Sequence, residues 1–318
     1  MPRHVPMPLH PDLDAFLELV NDANADGPAL HEMTPAQARA AYDRSTLALD
    51  EPGPDLPWEA LALPARDGHV LPARLYRGGT EPRSPVLLFF HGGGYVLGGL
   101  DSHDSLCRDL AARAACAVLA VDYRRAPEHR FPTAFEDAED AAAWLRGHAG
   151  SLGLDPDRIA VGGDSVGGTL ATALTLAARD AGLPQPVLQL LLYPCTSARQ
   201  DTPSHKRLAS GFLLEERNLQ WMFGQYLRDD ADRLDWRFAP LQAATLQDLA
   251  PAHLALAEFD PLLDEGLAYA EALRTARVRV TAKVYAGMVH DFARLGNVVE
   301  EAATLRAELA AVLAQAFR

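Results

Sequence analysis

From residue 85 onward, short apolar runs alternate with longer stretches of helical periodicity, and this alternation constrains the fold more than any other feature of the chain. "PVLLFF" (85–90), "AVLAVDY" (117–123), "RIAVGG" (158–163) and "VLQLLLYP" (187–194) read as buried strands. Between them, "LCRDLAARA" (106–114), "FEDAEDAAAWLRGHA" (135–149) and "GTLATALTLAARD" (168–180) read as helices. The rhythm breaks from about Thr196 to Pro240, then resumes with "AHLALAEFD" (252–260), "LAYAEALRTA" (267–276) and "VRVTAKVYAGMVHDF" (278–292) before a final helix. Strands joined through helices pair in parallel, so an α/β class is expected: a mainly parallel central sheet with helices on both faces.

The interruption carries its own helical stripe, Leu219, Met222, Phe223, Tyr226 and Leu227, within "FLLEERNLQWMFGQYL". Residues 12–48 also look helical, with Leu13, Phe16, Leu17 and Val20 at helical spacing, and the prolines of "DEPGPDLP" (50–57) make a loop after them. Residues 1–318 are therefore expected to form one domain. In it, about 1–50 and 197–238 cap the ligand-binding edge of a core formed by about 58–196 and 239–318. A formal net charge of −14 with no basic cluster argues against nucleic acid and anionic membrane surfaces as partners. Cys107, Cys116 and Cys195 have neither CxxC nor metal-ligand spacing, which suits buried thiols in a reducing compartment. Prolines in "MPRHVPMPLHPDLDAF" stand where a leader peptide needs an apolar stretch, and no apolar run approaches the ~20 residues of a membrane span. A cytoplasmic protein with no membrane span is the expectation.

"VGGDSVGGT" (161–169) sets Ser165 among four glycines directly after an apolar run. A plain turn explains glycine and serine together. The strand before and the helix after fit a nucleophile elbow better, with Gly163 and Gly167 keeping side chains out of a tight turn. A serine hydroxyl needs a base, and His290 follows the strand-like "VTAKVYAGMV". His253 begins a strand, and His91, His103 and His129 precede the serine. Asp260 closes "LALAEFD" ahead of Pro261, where a carboxylate would orient the histidine; Asp264 and Glu265 lie further on in the next helix. The order Ser165, Asp260, His290 is that of α/β-hydrolases. "FFHGGGYVLGG" (89–99) follows a strand and would offer the N–H groups of Gly93 and Gly94, with that of Val166, to a tetrahedral oxyanion. A glycine-rich turn or phosphate loop is the plainer alternative, but no helix follows closely enough for a dinucleotide fingerprint. His91 is expected to pin this loop.

With "HGGGYVLG", "YRRAPEHRFPTAFEDA", "GGDSVGG", "FDPLLDEG" and "GMVHDF" in order, the chain resembles the bacterial hormone-sensitive-lipase-like esterases of the α/β-hydrolase superfamily from about residue 60 onward. The resemblance implies an α/β-hydrolase fold with a helical cap, a carboxylesterase acting on small-molecule esters, no metal, no cofactor, and the same three catalytic residues. Relatives are often dimers, so a homodimer is implied as well. Two positions depart from the family. Val166 replaces the usual alanine and is expected to crowd the acyl pocket. Asp291 replaces the frequent glycine, and its carboxylate either raises the proton affinity of His290 or, the plainer expectation, faces water.

The expected reaction is hydrolysis of short- to medium-chain acyl esters through an acyl-enzyme. Phe212, Leu213, Trp221, Met222 and Phe223, with Phe16 and Leu17, are candidates for the acyl-binding wall, or equally for ordinary packing of cap on core. Amidase, lactonase or acyltransferase chemistry would use the same residues. A non-catalytic small-molecule receptor on this scaffold would lack the histidine that is present here.

Overall fold

The structure, a computed structural model, describes residues 8–25 and 27–318. Among these residues, eight strands are β1 (Trp58–Pro64), β2 (Val70–Arg77), β3 (Ser84–Phe90), β4 (Ala117–Val121), β5 (Leu154–Asp164), β6 (Gln189–Leu192), β7 (Ala252–Phe259) and β8 (Val280–Val289). They form one sheet in the order β1-β2-β4-β3-β5-β6-β7-β8. Pairing is parallel from β4 through β8, whereas β2 runs antiparallel to both β1 and β4. The mainly parallel sheet is as expected; the β1–β2 hairpin is an addition that the apolar pattern does not announce.

The helices are α1 (Pro11–Ala25), α2 (Pro35–Leu49), α3 (Asp104–Ala114), α4 (Thr133–His148), α5 (Val166–Asp180), α6 (Pro203–Arg207), α7 (Glu216–Tyr226), α8 (Leu263–Thr275) and α9 (Glu301–Ala316). Because successive strand side chains point to opposite faces, β3 sends Val86, Leu88 and Phe90 to one apolar layer and Leu87 and Phe89 to the other. The first layer is covered by α4, α5 and α8, the second by α3 and α9. All-apolar β3 and β4 follow from this two-sided burial.

The N-terminal stretch is two helices, broken by a short 3-10 turn at Leu30–Glu32. Thr34 caps α2, its hydroxyl accepting the Gln37 N–H at 3.3 Å. On α2, Arg39 donates to the Val96 and Ala126 carbonyls at 2.8 and 2.6 Å and forms an ion pair with Glu128. This holds the helix over the loop that follows β3. The apolar stripe of α7 faces inward as its spacing requires, with Leu219, Met222, Phe223 and Tyr226 buried. His31 and Asn218, 3.0 Å apart, join the N-terminal segment to α7. Residues 1–7 and 26 of the expected cap lie outside the described residues. Among those described, no helix is long and apolar enough to cross a membrane. Cys107, Cys116 and Cys195 are free and buried.

Candidate active site

Parallel strands bring their C-terminal ends to one edge of the sheet, and Ser165, Asp260 and His290 follow directly on β5, β7 and β8. Ser165 bridges β5 and α5 with φ 53° and ψ −122°, a backbone that L-residues adopt only under strain. The neighbours hold it there. Its N–H donates to the Leu192 carbonyl at 2.9 Å, and its own carbonyl accepts from Cys195 N–H at 3.3 Å. A Cβ on either Gly163 or Gly167 would run into the Phe90 carbonyl oxygen at the end of β3. The elbow therefore requires glycine at both positions because the backbones touch.

His290 is buried, and its Nδ1–H donates to the buried Asp260 Oδ2 at 2.7 Å. The other Asp260 oxygen accepts the Leu262 N–H at 2.8 Å, which fixes the carboxylate. The Tyr193 ring, one residue past β6, lies 4.7 Å from the imidazole, so the ring is held from the Ser165 side of the sheet as well. Among the described residues the imidazole is hydrogen-bonded to Asp260 alone. Burial alone would lower the proton affinity of His290. The Asp260 carboxylate outweighs it, with Asp291 and Asp164 adding, and the imidazole is raised to about 9.

Gly93 and Gly94 take positive φ of 107° and 61° in the turn after β3. Neither N–H has an acceptor among the described residues. A Cβ at Gly94 would strike the Met222 side chain of α7, including its Cβ, so the helix and the loop approach closely here. Val166, the first residue of α5 and fully buried, has an N–H without an intrahelical acceptor. His91 Nδ1–H donates to the Gly92 carbonyl at 2.7 Å, and the ring stacks on Tyr123, whose hydroxyl donates to the His91 carbonyl. These contacts anchor the start of the loop.

The aromatic and apolar candidates separate. Phe212, Leu213 and Trp221 are partly buried, with Phe212 against Phe259 at 5.5 Å. Phe223 is wholly buried, edge-on to Phe238 at 5.0 Å, and is occupied in packing. Leu13 and Leu17 pack in the second apolar layer with α3 and α9, with Phe16 partly buried against it. Met222 is the stripe residue that reaches the glycine loop.

Asp164 escapes the sequence, and Asp291 departs from its plainer expectation. Asp164, fully buried just before the serine, accepts the Gly92 N–H at 2.9 Å and lies 3.1 Å from His103 Nε2. It ties the glycine loop to the elbow. Burial opposes its charge, but His103, Arg294 and His91 outweigh that and keep it ionised. The signal was an acid inside "GGDSVGG", but its partners lie far off in sequence. Asp291, in contrast to the expectation that it simply faces water, adopts φ 65° and accepts from Arg294 at 2.9 Å. The turn that suits glycine in the family suits Asp here, since Asp tolerates left-handed backbone better than most residues.

Among the described residues no cluster of three or more His, Cys, Asp or Glu is grouped as metal ligands would be. An open cavity of about 720 Å³, lined by residues such as Asp248 and Arg279, lies at the N-terminal ends of β7 and β8, on the opposite edge of the sheet.

A family model described as alpha/beta hydrolase fold matches residues 87–294. The ethyl acetate hydrolase of Pseudomonas putida is 47% identical over 307 residues, covering 93% of this chain and 95% of that protein. A carboxylic ester hydrolase of Mycobacterium tuberculosis is 41% identical over 315 residues, covering 92% of this chain and 83% of that protein. The solved hyperthermophilic esterase of the archaeon Pyrobaculum calidifontis matches with a TM-score of 0.91 at 36% identity, covering 97% of this chain and 99% of that one.

Replacing Asp164 by Ala strands the Gly92 N–H and the His103 ring without their buried acceptor. A loss of about 3 kcal/mol in urea denaturation is expected; unchanged stability would remove Asp164 from its structural role.

Proposed function

The chain belongs to the α/β-hydrolase family, among its hormone-sensitive-lipase-like carboxylesterases, and as a carboxylic ester hydrolase we propose that it works through Ser165, His290 and Asp260. The observation that carries this reading is the buried 2.7 Å pair of His290 and Asp260 on the same sheet edge as the strained Ser165 elbow. With Nδ1–H committed to Asp260, the neutral imidazole keeps its lone pair on Nε2, the nitrogen that accepts the serine proton.

The Ser165 Oγ attacks the ester carbonyl while His290 Nε2 takes the hydroxyl proton. The imidazolium then protonates the leaving alcohol and an acyl-Ser165 remains. Water, deprotonated by the same nitrogen, releases the acid and restores the serine. Asp260 orients the imidazole through Nδ1, and contacts between nucleophile and base commonly tighten once substrate is bound. Charge on the tetrahedral oxygen is met by the N–H groups of Gly93, Gly94 and Val166, each such donor contributing about 3 kcal/mol. None of them has to be released from another partner in the loop.

Residues 27–50 and 197–238 act as the cap, supported by Arg39 clamping the loop after β3 and by Met222 over Gly94. Phe212, Leu213 and Trp221 form the acyl wall, as the partly buried members of the apolar set. Val166, buried behind the nucleophile, narrows that pocket and favours short to medium acyl chains.

Ser165→Ala is expected to lower p-nitrophenyl butyrate turnover at least a thousandfold with the fold intact by circular dichroism. Turnover near wild type would remove Ser165 as nucleophile. For the wall, Trp221→Ala should move the acyl-length optimum between acetate and octanoate toward longer chains; an unchanged profile would assign Trp221 to packing.

A further inference from the structure

Directly after the proposed base, Asp291 turns back on the imidazole. Its Oδ1 lies 3.9 Å from His290 Nε2, the nitrogen away from Asp260. Its Oδ2 accepts from Arg294 at 2.9 Å. Arg294 is itself buried and reaches three groups on two other segments: the Tyr42 hydroxyl and the Thr46 Oγ1 on α2, and the Ser102 carbonyl ahead of α3. The guanidinium also lies over the Tyr42 ring, 5.1 Å from its centre. A carboxylate beside the reactive nitrogen is thus clamped through Arg294 to α2.

Resting on the catalytic reading above, we propose that Asp291 is a positioning residue that holds the imidazolium of His290 at its reactive nitrogen, with Arg294 fixing the carboxylate and linking it to α2. His290 would then sit between two carboxylates, Asp260 on Nδ1 and Asp291 near Nε2. The other groups facing it are the Asp164 carboxylate at the end of β5 and the Tyr193 ring after β6. Arg294 is the cation nearest Asp291, and it partly offsets that carboxylate. Tyr42, buried against Arg294, keeps its proton because burial raises it well beyond the ordinary phenol.

The sign follows from which form the carboxylate favours. A negative charge near Nε2 stabilises the protonated ring, so it makes His290 a stronger base in the transition state. The same charge delays loss of the resting proton, and kcat/KM should fall as pH drops through the titration of His290. Removing the charge moves that acid limb to lower pH.

Asp291→Asn tests this with little backbone cost, since Asn tolerates left-handed φ and keeps an acceptor for Arg294. The acid limb of kcat/KM for p-nitrophenyl butyrate should shift down by about one pH unit, so that activity at pH 6 relative to the high-pH plateau rises about tenfold. The same shift should appear in the His290 Cε1–H resonance, followed by NMR in Ser165→Ala with and without Asp291→Asn. That readout needs no turnover, so it tests Asp291 even if Ser165 proved not to be the nucleophile. Turnover in Ser165→Ala would overturn the catalytic reading, whereas an unmoved or upward-shifted His290 titration would overturn the role of Asp291. Should Asp291→Asn not fold, Asp291→Gly, suited to φ 65°, gives the same two readouts.

Discussion

The backbone of β3 and the turn into α5 approach so closely that no side chain fits between them. The Phe90 carbonyl occupies the space a Cβ would need at both Gly163 and Gly167. This contact forces Ser165 into a backbone worth about 1–3 kcal/mol of strain, and the ladder to Leu192 and Cys195 keeps it there. The glycine loop starts from the same strand end, so the proposed nucleophile and the proposed oxyanion donors are placed by one junction. Asp164 locks the two sides of that junction together through Gly92.

The electrostatics around His290 grow out of this geometry. Three carboxylates, Asp164, Asp260 and Asp291, belong to different strand ends but face one imidazole across a sheet edge. Each is held by a hydrogen-bonded or ion-paired partner: His103 and Gly92, Leu262, and Arg294. Dipoles and charges fixed in advance need no reorganisation when charge develops, and this is where an acyl-transfer site gains most of its rate. The route from Asp291 through Arg294 to Tyr42 makes α2 part of that arrangement.

Much of this was legible in the sequence because the core strands are buried on both faces and read as unbroken apolar runs. The strand-to-helix change at "GGDSVGG" placed the elbow, and strand ends placed Asp260 and His290. The β1–β2 hairpin was not legible: β1 is an edge strand, mostly exposed, and its short run "ALAL" is made of residues that favour helix over strand. Helical spacing found the buried stripe of α7 without telling Met222, which reaches Gly94, from Phe223, which packs on Phe238. Period identifies a face and says nothing of what stands opposite it. The sequence alone gives Asp164 no role and leaves Asp291 between two, for a related reason. Their roles depend on His103, Gly92 and Tyr42, brought close only by the fold, and on a left-handed turn that hides no distinctive residue type.

Three groups distant in the chain acting on one substrate carbonyl is the idea on which the functional reading stands. Its most direct test is peptide mapping by mass spectrometry after treatment of the folded protein with a fluorophosphonate. A single phosphonyl adduct on the peptide carrying Ser165, formed quickly in the wild type and lost in His290→Gln, is the expected result. No adduct, or one on another residue at equal rate in both proteins, would contradict it.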